Sequence, residues 1–401
     1  MDSQLIEIIR QAIAASAERS SIAASAERSS IATHAQHRLT FAEYMEIALY
    51  HPEYGYYSTQ AANLGKKGDF FTSVHLGADF GEMLAEQFQQ MWLILGKPQE
   101  FQLVEMGAGQ GILAQDILKY LQKIYPDFFA ALKYSIVEKS PTLRSIQQQR
   151  LQEFAVNWYN LEEISPNSVT GCFFSNELVD AFPVHQFTVV NGELQEIYVT
   201  VSSDSLQEIT DKPSTPKLLE YLQMLGIEIN SYADGYRSEI NLSALDWLGI
   251  VANRLHRGYV LTIDYGYSAS RYYNPRRNQG TLQCYWQHQR HNNPYIHIGH
   301  QDITTHVDFT ALERWGEQCG LDKVGFVPQE IFLMALGLGE RIASLSQQKL
   351  PIVELLQRRD CLHQLIDPMG VGGFGVLAQS KGLNPQETSQ PLKGFNIPEL
   401  A

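Results

Sequence analysis

Phe101-Gln102-Leu103-Val104-Glu105-Met106-Gly107-Ala108-Gly109-Gln110-Gly111 is the stretch from which the fold can be read. A short apolar run ends on an acid, and glycines follow at alternate positions. Beyond them Ile112, Leu113, Ile117, Leu118, Leu121 and Ile124 recur at helical spacing. The pattern predicts a strand, a tight glycine loop and a helix, which is the opening of an α/β nucleotide-binding unit. Backbone without Cβ can turn sharply and let a ligand come close.

Two details argue against a dinucleotide site. Gly107-x-Gly109-x-Gly111 is one residue shorter than the dinucleotide fingerprint, and Glu105 stands just before the first glycine. A carboxylate is a poor neighbour for a pyrophosphate. It suits S-adenosylmethionine, which carries an α-amino cation and a sulfonium and has no phosphate. Tyr134-Ser135-Ile136-Val137-Glu138 is a second apolar run ending on an acid. An acid at the end of the second strand can accept hydrogen bonds from ribose hydroxyls. The competing reading of Glu138 is a carboxylate at the start of the helix opened by Ser140-Pro141.

Composition sets the limits. A chain of 401 residues with 44% hydrophobic and 18% charged residues can bury a large core, as one elaborated domain or two. A formal net charge of −14 speaks against a phosphate-binding surface as the main business. Cys172, Cys284, Cys319 and Cys361 form no C-x-x-C pair, which fits a reducing compartment and not a disulfide scaffold or zinc-thiolate site. No apolar stretch reaches membrane-spanning length. Asp2, Glu7, Glu18 and Glu27 argue against a transit peptide, so a cytoplasmic location is expected.

The first 38 residues read as a polar, Ala-rich helical lead in which Ala15–Ala23 recurs as Ala24–Ala32. One duplication is not a solenoid, and the lead is expected to be dispensable. Thr40 and Glu43 form a capping box ahead of a helix running to about Tyr50. Leu64–Thr72 is a glycine-flanked loop before a helix from about Gly77 to Leu95. After strands at 101–106 and 134–138 and a short one near Val156, Gly171–Ser175 forms a fourth strand. It leads into Asn176-Glu177-Leu178-Val179-Asp180. Two carboxylates leaving a buried strand, where open α/β sheets place ligands, need a reason. The alternatives are a ligand grip and plain helix capping.

Phe187–Val199 is a hairpin by its Asn191-Gly192 turn and begins an insertion ending near Ile240. Ser243 is expected to cap a helix through Leu255. Tyr259–Asp264 is a fifth strand, again ending on an acid. Residues 271–308 hold His288, His291, His297, His300 and His306 but no zinc-protease pattern, so no metal is expected and the segment reads as a long substrate-facing loop. A helix from Phe309 to Cys319 and strands at 323–327 and 373–379 follow, then a loose tail.

The chain from about Leu39 to Ser380 resembles the MidA-like family of class I S-adenosylmethionine-dependent methyltransferases. The motifs that carry the resemblance are Gly68–Thr72, Val104–Gly111, Val137–Arg144, Asn176–Phe187, Ile263–Gly266 and Asp302–Phe309. It implies an α/β, Rossmann-like sheet with helices on both faces, a helical N-terminal region and an inserted β-hairpin/helical subdomain on the substrate side. It implies a lead at 1–38, a methyltransferase domain at 39–384 and a tail at 385–401. Within that domain the core is about 96–185, 241–268 and 309–382, and the substrate-side elements are about 39–95, 186–240 and 269–308.

Mitochondrial members methylate arginine on a complex I subunit and assist its assembly, which implies a protein substrate here, in a bacterial-type chain. Asp69, Phe70, Glu105, Gly107, Gly109, Gly111, Glu138 and Asn176 would hold S-adenosylmethionine, with Asp69 and Phe70 closing over it. Glu177 and Asp180, then Asp264, would serve the guanidinium. The chain departs from the family at Ser73-Val74-His75, where Ser/Ala-Pro-Glu is usual, and at Ala108, where proline is usual. The other readings are a cofactor-binding assembly factor without turnover and a small-molecule methyltransferase.

Overall fold

Seven strands form one sheet in the computed structural model, which describes residues 2–26, 37–59, 73–203, 205–287, 289–347 and 351–396. In chain order they are β1 (Phe101–Met106), β2 (Leu132–Val137), β3 (Val156–Tyr159), β4 (Val169–Asn176), β5 (Leu255–Asp264), β6 (Asp322–Pro328) and β7 (Gly375–Lys381). Their order across the sheet is β3-β2-β1-β4-β5-β7-β6. The first five are parallel, and β7 runs antiparallel to both β5 and β6. Strands buried on both faces need continuous apolar runs, and β1, β4 and β5 supply them. This is the Rossmann-like sheet expected from the sequence.

The sheet belongs to a unit made of Asn63–Asp180, Asp246–Tyr267 and Val307–Ala401. Helix Ile112–Ile124 buries Leu113, Ala114, Ile117, Leu118 and Leu121, the apolar stripe visible in the sequence. Helix Asp79–Ile94 buries Phe80, Leu84 and Phe88, and Phe88 meets Phe174 of β4 with ring centroids 4.9 Å apart. The sequence reading puts residues 39–95 on the substrate side, whereas this helix, through its apolar face, is part of the sheet unit. The segment read as a loose tail is packed over its described residues, up to Asn396. Leu392 is buried, Asn384 caps a short helix with Glu387, and Glu387 pairs with Arg257 of β5.

The other unit comprises Met1–Ala62, Ala181–Leu245 and Ser268–His306. Strands His185–Val190 and Glu193–Ser202 form the hairpin, with Asn191 and Gly192 both at positive φ as a two-residue turn of this kind requires. The segment read as a long loop carries its own three-stranded sheet, Gln283–Trp286 between Gln289–His291 and Asp302–Thr304. Buried Glu239 helps to order it by accepting from the Thr281 N–H at 2.9 Å and the Leu282 N–H at 3.3 Å. His288 lies outside the described residues. Among the described residues no three His, Cys, Asp or Glu side chains gather as metal ligands, and no helix is long and apolar enough to cross a membrane. Thr40 and Glu43 close the capping box, whereas Asn241, not Ser243, accepts the Ala244 N–H at the start of the later helix.

The N-terminal lead departs from its expected part. Helix Asp2–Ala26 buries Leu5, Ile9 and Ile13, one stripe at four-residue spacing, within its unit. Ser16 Oγ accepts the Arg38 N–H at 3.0 Å. The apolar stripe precedes the duplicated segment at 15–32, whose polar repeat concealed it; residues 27–32 of that repeat lie outside the described residues. Ile9→Ala should therefore cost about 2–5 kcal/mol in denaturant unfolding, and deletion of residues 2–16 should lower the melting temperature. An unchanged melt would return the helix to the dispensable part first expected.

Candidate active site

The strand order reverses between β1 and β4, and open α/β sheets bind ligands beyond the carboxyl ends of the strands at such a point. Met106 of β1 pairs with Ser175 of β4, so the glycine loop and the Asn176–Asp180 turn leave the sheet side by side. They touch: a Cβ on Gly107, whose φ is +70°, would lie 2.6 Å from Leu178 Cδ1. The constellations that stand about 70 residues apart in sequence are thus neighbours in the fold.

On one side stand Glu105 and Glu138. Glu105 is 3% exposed and its Oε2 accepts the Tyr134 hydroxyl at 2.7 Å. Burial is the main cause that pushes its carboxyl up to about 7; Tyr134 opposes the shift and the charge of Glu138 adds to it. Glu138 accepts the Ser140 N–H at 2.9 Å and the Gln147 amide at 3.0 Å. Burial raises its pKa, and those two hydrogen bonds oppose the shift. A carboxylate has about four acceptor positions, so these bonds leave room for ribose hydroxyls. The Ser140–Glu138 bond also makes the helix-opening reading true in part: one oxygen serves the helix start.

On the other side stand Glu177, Asp180 and Asp264. Glu177 sits at φ +52°, an uncommon conformation for a side-chain-bearing residue and one that recurs at functional sites. Its Oε1 accepts the Asn176 amide at 3.1 Å. Burial pushes its carboxyl up to about 8, the charge of Asp180 adds to that, and hydrogen bonds from Asn176 and the Ser73 N–H work against it. Ser73 is the first residue of the family departure at 73–75, and its backbone contact keeps that segment tied to the acid.

Asp264, expected as a third catalytic carboxylate, has a different part. It is fully buried, and its Oδ2 accepts the N–H groups of Leu178 at 3.1 Å, Val179 at 2.9 Å and Asp180 at 3.3 Å. Its Oδ1 accepts the Tyr265 N–H at 2.9 Å. It shapes the turn that presents Glu177 and Asp180 and has no surface for substrate. Asp69 and Phe70 lie outside the described residues.

Sequence reading missed Gln147, which is fully buried and whose Nε2 donates to Gly109 O at 2.8 Å as well as to Glu138. A signal existed. Leu143, Gln147 and Leu151 fall on one helical stripe, and an amide on an apolar stripe calls for a partner.

These groups fit S-adenosylmethionine. A Cβ on Gly109 would meet nothing within 4 Å, so the loop is open at that point. Asn176 Oδ1 is a buried acceptor with no hydrogen-bond partner among the described residues. Glu105 and Glu138, when ionised, are pure acceptors, as ribose hydroxyls and an ammonium require.

A family model of S-adenosyl-L-methionine-dependent methyltransferases matches residues 83–327. The chain is 31% identical over 388 residues to the mitochondrial protein arginine methyltransferase NDUFAF7 homolog of Drosophila melanogaster, covering 88% of this chain and 84% of that protein. It is 29% identical over 391 residues to the mitochondrial protein arginine methyltransferase NDUFAF7 of Mus musculus, covering 90% and 80%. Its structure is similar to the crystal structure of a Burkholderia thailandensis protein bound to S-adenosyl-homocysteine. That match has a TM-score of 0.77 at 27% identity and covers 98% of this chain and 96% of the other.

The Asp264 clamp makes a sharp expectation. Asp264→Ala would leave buried N–H groups without an acceptor, at a cost of about 2–4 kcal/mol. Chemical denaturation should show that loss.

Proposed function

The chain belongs to the family of S-adenosyl-L-methionine-dependent methyltransferases, and we propose that it methylates an arginine side chain of a protein. The observation that carries the reading is the pair Glu177 and Asp180, presented beside the glycine loop on a turn built for them. The arginine methyltransferases among its relatives support the same substrate.

Gly107, Gly109 and Gly111 would receive the cofactor, Glu138 its ribose, and Glu105 and Asn176 its remaining polar groups. S-adenosylmethionine, when bound, supplies an electrophilic methyl on a sulfonium for in-line displacement. The chain's own residues must deal with the other reactant. A guanidinium is protonated at working pH and would repel a cationic donor. Two carboxylates offset that charge, grip the guanidinium through charge-assisted hydrogen bonds and hold its positive charge on the bound nitrogens. The remaining nitrogen is left electron-rich and oriented. Methylation releases a proton, and a Glu177 carboxyl with a pKa near 8 can accept one.

The protein partner in this reading is a subunit of a respiratory complex I type assembly, with methylation aiding assembly, as the family resemblance implies. Free cysteines throughout suit a reducing compartment, and cytoplasmic residence belongs to the same reading.

Labelled S-adenosylmethionine incubated with cell extract tests the proposal. Label in a protein band, at arginine by mass spectrometry, supports it. No label favours an assembly factor without turnover, and label in the small-molecule fraction favours a small substrate.

Two variants sharpen the test. Glu177→Gln should keep cofactor binding and lose about a hundredfold or more in transfer. Asp180→Asn should follow the same pattern. The pH profile has a definite sign. The folded pKa of Glu177, about 8, exceeds its ordinary 4.5, so the acid form is favoured in the folded state. Guanidinium binding needs the ionised form, so kcat/KM should rise with pH to a plateau above about 8 and lose that limb in Glu177→Gln. The same carboxyl costs stability increasingly as pH rises from 4.5 through 8, so Glu177→Gln should melt higher than the parent at pH 9. Normal turnover in Glu177→Gln would remove it from the mechanism.

A further inference from the structure

One helix reaches the glycine loop twice. Helix Pro141–Arg150 sends Gln147 Nε2 to Gly109 O at 2.8 Å and Arg150 Nε to Gln110 O at 2.8 Å. Both carbonyls of the loop are therefore turned toward the helix. A planar peptide sets its N–H opposite its C=O, so the Gly109 carbonyl also fixes the direction of the following N–H. Gln147 does more than Arg150. The same Nε2 donates to Glu138 Oε2 at 3.0 Å, and its Oε1 accepts the Trp158 indole N–H at 3.0 Å. One fully buried amide thus ties the glycine loop, the acid after β2 and the edge strand β3 together.

The amide chemistry is specific. Gln147 needs an acceptor on its nitrogen side and a donor on its oxygen side, and the indole N–H can only donate. Trp158 therefore fixes which way the amide faces. In that orientation both hydrogens of Nε2 are used, one on the loop and one on Glu138. A leucine of similar size would fill the space and remove every one of these bonds.

We propose that Gln147, oriented by Trp158, is a positioning residue that sets S-adenosylmethionine affinity by holding Glu138 and the glycine loop in one arrangement. It touches no reacting atom. Its loss should act on binding and leave the transfer step alone. The proposal rests on the assignment of the cofactor to this loop, and the parent protein provides the check on that assignment.

The experiment compares the full-length parent with Gln147→Leu, Trp158→Phe and Arg150→Met. Calorimetry with S-adenosylhomocysteine gives Kd, steady-state transfer gives kcat and KM for S-adenosylmethionine, and thermal melts report folding. Gln147→Leu should raise Kd and KM about ten- to a hundredfold and keep kcat at saturating cofactor within about threefold. Trp158→Phe keeps the amide but frees its orientation, so its effect should run the same way and be smaller. Arg150→Met releases the loop without touching Glu138 and should fall below Gln147→Leu. The parent's fluorescence should also change on cofactor binding, with that change reduced in Trp158→Phe.

If the parent binds no S-adenosylhomocysteine, the cofactor assignment itself fails. If the parent binds and folded Gln147→Leu binds equally well, the positioning role is overturned while the cofactor assignment stands. A Gln147→Leu that melts much lower is read by Kd at a temperature where it is folded. An unchanged Kd there reduces Gln147 to a structural residue.

Discussion

The site depends on where one buried carboxylate spends its hydrogen bonds. Asp264 ends β5, is shut off from solvent and accepts four backbone N–H groups, three of them from the turn after β4. Hydrogen bonds favour its charge; burial and the neighbouring Asp180 and Glu177 oppose it, and the balance leaves its pKa well above the usual range. The turn cannot relax without leaving those amides unmatched in a low-dielectric interior. Glu177 is thereby held in a left-handed conformation that its side chain would not otherwise favour. Acids near one another are costly, and this geometry keeps two of them on a turn beside the glycine loop with a third as its anchor.

Much of this was legible in the sequence because the relevant signals are local. Apolar runs ending on Glu105, Glu138 and Asp264 gave three strand ends, and Gly107, Gly109 and Gly111 gave the loop. Asn191-Gly192 fixed its hairpin by turn chemistry alone. What escaped depended on distant partners. Asp264 looks like Glu105 and Glu138 in sequence, yet its role is decided by amides 84 to 86 residues away. Gln147 reads as one polar residue in Gln147-Gln148-Gln149, and only its place on the buried stripe separates it from its neighbours. The segment 271–308 looked like a loop because its strands are two to four residues long and polar, and they are ordered by pairing with one another and by Glu239, more than 30 residues upstream, which holds Thr281 and Leu282.

β7 carries a further consequence. It is the last strand among the described residues, yet it lies inside the sheet, hydrogen-bonded to β5 on one side and β6 on the other. During synthesis β5 must therefore wait, with one edge unpaired, through the more than 100 residues that separate Asp264 from Gly375. Pairings between distant segments form slowly, and an open strand edge invites other chains. Until β7 arrives, β6 has no partner in the sheet either. A message truncated before residue 375 would yield a protein with the glycine loop and the acidic turn encoded in full but the sheet split open beside them. The chain end thus acts as a keystone, and the vulnerability of a partly made chain lies in its exposed β5 edge, not in any missing catalytic group.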